Sequence, residues 1–262
     1  MAHRLDGVRV KLCRADEHLE TLDKSVQGFL KGSPYRPFAD MDMEAGEGLV
    51  RVEIRACPPV LEWGVLVGDV LHNLRSALDH LAWQLGGDPP PNKRTSAFPI
   101  HWDRGDYRRE GAKKVAGVPC HPQAIIEDLQ PYQRGDEKRA KGHALWWLKV
   151  LSEWDKHRLL HVTGSVVNGV AYFLDGAHAL SQLEDSQSVR FGPFEDGAVI
   201  ARWPIHPDAP KPKMNVPFHF TFGVALGESG PAAGGFDVTA VLTRCRDYVK
   251  ESVLNRLGPF LL

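Results

Sequence analysis

The sequence predicts an α+β fold: a helical bundle core with an antiparallel β-sheet, built from hairpins, contributed mainly by the C-terminal half. Three observations predict it. Long segments before residue 162 carry apolar residues at alternating steps of four and three, the helical rhythm. From Val162 the period changes to two, the strand rhythm. A last amphipathic stretch then returns to the helical pattern. Runs of helix, then strand, then helix describe α+β rather than alternating α/β. A length of 262 residues fits one domain spanning 1–262. The bundle would lie mainly in 1–161 with the final helix 237–258, and the β segment mainly in 162–227.

The first helix is predicted from Leu5 to Leu30, with Val8, Leu12, Ala15, Leu19, Leu22 and Val26 inward and Gly32-Ser33-Pro34 as its stop. Residues 34–47 read as an irregular connection. Leu49 to Ala56 alternates apolar and charged residues, a half-buried strand that Pro58-Pro59 ends. The central helix, Val60 to Leu85, keeps Val67, Leu71, Leu74, Leu78, Leu81 and Leu85 on one seam. Residues 88–119 form a Pro- and charge-rich excursion anchored at Phe98-Pro99-Ile100, a lid or a surface wrap, with a short helix around Tyr107 to Val115. Another short helix is expected from Pro122 to Leu129.

Asp136 then caps one long helix to Leu160. Trp147, Leu151, Trp154, Arg158 and His161 form one stripe on it, beside a second of Trp146, Val150, Glu153, His157 and Leu160. Val162–Val167, Asn168-Gly169 and Val170–Leu174 read as a type I′ hairpin. Gln187–Phe194, Asp196-Gly197 and Ala198–Ile205 read as a second one. Phe218 to Leu226 is the clearest alternating strand in the chain.

Composition narrows the class. The net charge of −1 gives no overall drive toward nucleic acid or anionic lipid. Between Lys93 and Lys141, however, 11 Lys plus Arg face 7 Asp plus Glu, a local surplus that could guide a phosphate chain or be a solvated loop. Four dispersed cysteines without a C-x-x-C pair read as reduced thiols, and Cys120-His121 alone is slight support for a metal. No stretch approaches the ~18–20 apolar residues of a membrane span, and the first residues carry no signal-peptide core. The expectation is a soluble, cytoplasmic protein without a membrane partner. Dinucleotide, P-loop, nucleophile-elbow and H-E-x-x-H motifs are all missing from the sequence.

The chemistry-bearing residues concentrate on the central helix. His72, Arg75 and Asp79 fall on one strip, and Asp69, Asn73, Ser76 and His80 on the next. Arg75-Ser-Ala-Leu-Asp-His80 resembles the Arg-x4–6-His motif of the HEPN helical proteins, many of which are ribonucleases. The resemblance implies a metal-independent, RNA-binding or RNA-cleaving homodimer in which Arg75 neutralises charge on the scissile phosphate and His80 acts as acid–base or orienting group. Guanidinium and imidazole suit that reaction on general grounds. His72 and Asp79 would assist, with Asn73, Asp155, His157 and Arg158 binding around them. Ser76 stands where many members have Asn, Asp or His. On an ideal helix Arg75 and His80 lie about 140° apart, so convergence needs a second copy or a distorted helix. The plainer reading pairs Arg75 with Asp79 one turn on. The words HNLRSALDHL and WDKHRLLH are also similar to a pair of segments in uncharacterised bacterial, chiefly actinobacterial, proteins.

A second reading is metal-dependent. His157 and His161 share a helix side, and Asp69-x-x-His72 has a spacing used in bundle di-metal sites. Asp69, His72, His157 and His161 could then hold one Zn or Fe ion. A third reading is a non-catalytic ligand-binding or scaffold protein whose polar cluster fixes helix register. Both enzymatic readings require the segments around His72–His80 and Asp155–His161 to meet.

Overall fold

The computed structural model describes residues 4–42, 44–87, 96–158, 160, 162–171, 192–204, 218–227 and 235–262. Its order is α1 (Asp6–Lys31), β1 (Tyr35–Asp42), β2 (Glu47–Ile54), α2 (Val60–Leu85), α3 (Arg104–Asp106), a π turn (Tyr107–Gly111), α4 (Ala112–Lys114), α5 (Cys120–Asp128), a 3-10 turn (Pro131–Arg134), α6 (Glu137–Lys141), α7 (Ala144–Asp155), β3 (Val162–Ala171), β4 (Gly192–Pro193), β5 (Val199–Pro204), β6 (Phe218–Leu226) and α8 (Val238–Asp247), which runs on through a π segment (Tyr248–Leu254) into α9 (Asn255–Leu257). Helices and antiparallel strands thus make an α+β architecture, and no described helix is long and apolar enough to cross a membrane.

The helical seams are buried as their spacing requires. Val8, Leu12, Ala15, Leu19, Leu22 and Val26 of α1 pack with Val67, Leu71, Leu74, Leu78 and Leu81 of α2, and with Leu145, Leu148 and Leu151 of α7. Val241, Cys245, Val249 and Val253 close the cluster from the last helix, and Val162, Val224 and Leu226 join it from β3 and β6. Each buried aliphatic side chain contributes about 1.5–3 kcal/mol of transfer free energy. Phe98 and Ile100 are fully buried in the same cluster, so the excursion after α2 is tied down at the anchor its sequence shows.

Two sheets form, ordered β1-β2-β5 and β4-β3-β6. Residues 34–47 are therefore not an irregular connection. Tyr35 to Asp42 pairs with Glu47 to Ile54 as a hairpin, whose turn Asp42 stabilises by accepting the Glu44 and Ala45 N–H groups. The type I′ hairpin at Asn168-Gly169 does not form. β3 runs straight through those residues along β6, and the extra residue is absorbed as a bulge between Val166 and Asn168. Residues 172–174 lie outside the described residues. The Asp196-Gly197 turn exists, but its arms enter different sheets: β4 pairs with β3, and β5 pairs with β2. Gly197 takes φ +74 there, which glycine adopts without strain. The turn is docked by Gly197 N–H to the Val52 carbonyl and by Ile54 N–H to the Asp196 carboxylate.

The sheets meet at Tyr35, whose ring contacts Phe29, Phe194 and Phe222 edge-on or tilted. A Cβ on Gly164 would stand 2.7 Å from the Tyr35 hydroxyl, so a side chain there would displace the ring. The single long helix expected from 136 to 160 is broken. Gly142 ends α6, and the His143 imidazole caps α7 by accepting the Leu145 N–H. Asp136 does cap α6, accepting the Arg139 N–H. α7 stops at Asp155, so His157 and Arg158 lie beyond its end; Leu159 and His161 are outside the described residues.

Candidate functional site

The central helix distributes its polar residues to three neighbours. On one side Nη2 of Arg75 donates to Asp79 Oδ1 at 2.8 Å and to the Phe98 carbonyl at 2.7 Å. Asp79 Oδ1 also accepts the Phe98 N–H at 2.9 Å. Asp79 and Arg75 thereby clip the anchor of the 96–100 segment to α2. Nε and Nη1 of Arg75 have no hydrogen-bond partner among the described residues. His80, five residues on, is exposed beside Gly7 of α1. Within one chain Arg75 and His80 face different surroundings, as their angular separation requires.

On the second side α7 reaches α2. A Cβ on Gly68 would meet the Asp155 carboxylate at 2.6–2.9 Å, so the missing side chain admits Asp155. Burial and the neighbouring Asp69 raise the Asp155 pKa, with His72 acting the other way. His18 of α1 adds an imidazole 4.0 Å from Asp69. Asn73 is buried and spends its amide on the Asp69 carbonyl one turn back. The two sequence segments therefore do meet, at Asp69, His72 and Asp155. His157 is exposed, and Arg158 stacks over Trp154 at 5.2 Å. Among the described residues no three or more His, Cys, Asp or Glu side chains are placed to hold one metal ion. Cys13, Cys57 and Cys120 are exposed free thiols and Cys245 is buried, its thiol pushed up to about 12 by burial.

The third arrangement is a strip of two adjoining aromatic rings flanked by cations. Lys141 Nζ lies 4.4 Å from the centre of the Trp102 ring. Trp102 meets Trp146 edge-on at 6.4 Å, and Lys149 lies 5.2 Å from the Trp146 ring centre. Burial, Arg75 and Lys149 together lower the Lys114 pKa, so these three cations share one neighbourhood, with Asp79 and Glu110 opposing. His101 lies under it: Lys149, Lys114 and above all burial bring its pKa down to about 4. Its Nε2 is buried without a hydrogen-bond partner among the described residues. Gly111 allows the π turn to lie on this imidazole, since a Cβ would stand 3.1 Å from Nε2.

Trp102, Lys114, Lys141 and Lys149 were not among the residues the sequence marks for a site. The signals for them are the basic surplus between 93 and 141 and the one-turn spacing of Trp146 and Lys149; nothing local places Trp102 beside Trp146. No protein-family model, curated protein or solved structure matches the chain.

Proposed function

We propose that the chain is an RNA-binding protein of the HEPN-like kind, engaging a single strand along Arg75, Lys114, Lys149, Trp146, Trp102 and Lys141. The observation that carries this reading is the Lys141–Trp102–Trp146–Lys149 row, two adjoining rings flanked by cations, continuing to the cations around Arg75. Nucleic-acid strands are held by cations tracking phosphates and by rings on which bases stack, each stacked base being worth about 1–3 kcal/mol. Half-exposed Trp102 and Trp146 offer such faces. Nε and Nη1 of Arg75, without a hydrogen-bond partner among the described residues, are left for a phosphate while Nη2 holds the clip. Cleavage is the further step of this proposal. It needs the exposed His80 of one copy brought to Arg75 of another, hence a homodimer.

The test is fluorescence anisotropy with a labelled RNA, with Lys114→Gln, Lys149→Gln and Trp146→Ala. Each lysine variant should weaken binding and lower the salt slope by about 1, and the tryptophan variant should cost about 1–3 kcal/mol. Wild-type binding by all three variants would remove the reading. Loss of RNA cleavage, but not binding, in His80→Ala would support the catalytic step. The clip itself favours a second reading, in which Arg75 is structural and the protein binds RNA without cutting it. Under that reading purified protein leaves bound RNA intact.

A further inference from the structure

A separate concentration of positive charge lies where α6 breaks into α7. A cavity of about 410 Å³ opens there, walled by Arg134, Arg139, Arg244, His143 and Tyr248, with Gly142 and Ala144 completing the wall. Three guanidinium groups line it and no carboxylate does. Arg134 and Arg244 have no ion-pair partner among the described residues; Arg139 has Asp136 at 3.4 Å but is 77% exposed. Arg244 is placed by stacking 4.7 Å from the Trp147 ring centre. Such a volume accommodates a ligand of mononucleotide size.

His143 supplies the second, independent observation. It is only 4% exposed, and its ring packs edge-on against Tyr248. Nδ1 accepts the Leu145 N–H, which leaves the imidazole proton on Nε2. Nε2–H is the donor that this leaves to the ring, and His143 belongs to the cavity wall. Burial, Arg134 and Arg244 bring its pKa down to about 4, so at neutral pH it is an uncharged donor. The 12-residue helix α7 begins at this wall, so its positive dipole end adds to the field.

We propose that this cavity binds a phosphate monoester, carried by a free mononucleotide or by the phosphorylated end of an RNA. Arg134, Arg139 and Arg244 would neutralise the dianion, and His143 Nε2–H would donate to one of its oxygens. Guanidinium forks match phosphate oxygens in geometry as well as charge.

Isothermal titration calorimetry at low salt, using inorganic phosphate, AMP, adenosine, and an RNA oligonucleotide with either a 5′-phosphate or a 5′-hydroxyl, tests this. Saturable binding of AMP and none of adenosine is the expected result. A preference for the phosphorylated oligonucleotide over AMP would assign the site to RNA ends; the reverse would assign it to free nucleotides. Arg139→Gln and Arg244→Gln should each weaken AMP binding at least tenfold, while the exposed Arg108→Gln should leave it unchanged. Arg139 is mostly solvent-exposed, so its variant folds even if Arg244→Gln, which loses the Trp147 contact, does not. Absence of saturable binding by every phosphate, or AMP affinity indifferent to Arg139→Gln, overturns the proposal. Lys114→Gln and Lys149→Gln should not alter AMP binding, so failure here and failure of the RNA-binding reading are separately visible.

Discussion

Arg75 and Phe98, 23 residues apart, are joined twice: by the guanidinium on the Phe98 carbonyl and by Asp79, which takes the Phe98 N–H while pairing with Arg75. One carboxylate thus satisfies both a side chain and a backbone donor at the edge of the core. Asp79→Ala would orphan the Phe98 N–H and free the cation. It should cost about 2–3 kcal/mol in urea unfolding, since a part-buried polar group without a partner loses its desolvation free energy. Asp79→Asn, which keeps an acceptor, should recover part of that loss. Equal stability of wild type and Asp79→Ala would show that the 96–100 segment does not need the clip.

Gly68 and Asp155 offer a sharper cycle. Glycine inside a helix ordinarily costs about 1 kcal/mol relative to alanine, so Gly68→Ala would stabilise an isolated α2. Here the new methyl would fall within 2.9 Å of the Asp155 carboxylate, and the substitution should be neutral or destabilising. In an Asp155→Ala background the same change should become stabilising by about 0.5–1 kcal/mol. Chemical denaturation of the four proteins measures the coupling. Additive effects would mean that α7 yields freely at this contact.

Tyr35 is a buried hydroxyl with no hydrogen-bond partner among the described residues, and burial pushes its pKa up to about 12. Tyr35→Phe removes that hydroxyl and preserves the ring contacts with Phe29, Phe194 and Phe222. It should leave stability unchanged or raise it by up to about 1 kcal/mol. Gly164→Ala should destabilise by about 1–3 kcal/mol through overpacking, and Tyr35→Phe should relieve part of it. Thermal melts decide both.

His143 carries a pH dependence with a definite sign. Its folded pKa of about 4 lies below the ordinary histidine value of 6.5, so between those pH values the unfolded chain binds a proton that the folded chain refuses. Stability is therefore undiminished above pH 6.5 and falls as pH drops toward 4, by on the order of 2–3 kcal/mol from this residue. His101 acts in the same direction. In urea titrations from pH 7 to 4, His143→Gln should flatten the decline. An unchanged slope would place the acid sensitivity elsewhere.

The helices were legible because burial on one face imposes a period. α2 begins at Val60 and ends at Leu85, where the Leu seam and the Gly86-Gly87 stop put it. β1 was not legible: Tyr35-Arg-Pro-Phe-Ala-Asp alternates poorly, and it becomes a strand by pairing with β2. The break at Gly142-His143 was hidden because the apolar rhythm continues across it, while the cap comes from a histidine rather than Ser or Asp. Asn168-Gly169 carries the composition of a tight turn, yet pairing along β6 overrides it. For the candidate sites, the meeting of Asp155 with Asp69 and His72 could be read from two helical faces. The tryptophan–lysine strip could not, since Trp102 is brought to Trp146 by the Phe98 anchor and by Gln130, which holds the His101 N–H and the Pro99 carbonyl.

The chain crosses from one sheet to the other between Pro193 and Val199, through a turn fastened to β2 at Val52 and Ile54. The two halves of the β structure are consequently stitched together at this turn, which holds the crossing strand against β2. A protease cut between Glu195 and Asp196 would sever this crossing, leaving the chain's second crossing, from β5 to β6, and the ring stack at Tyr35 to join them.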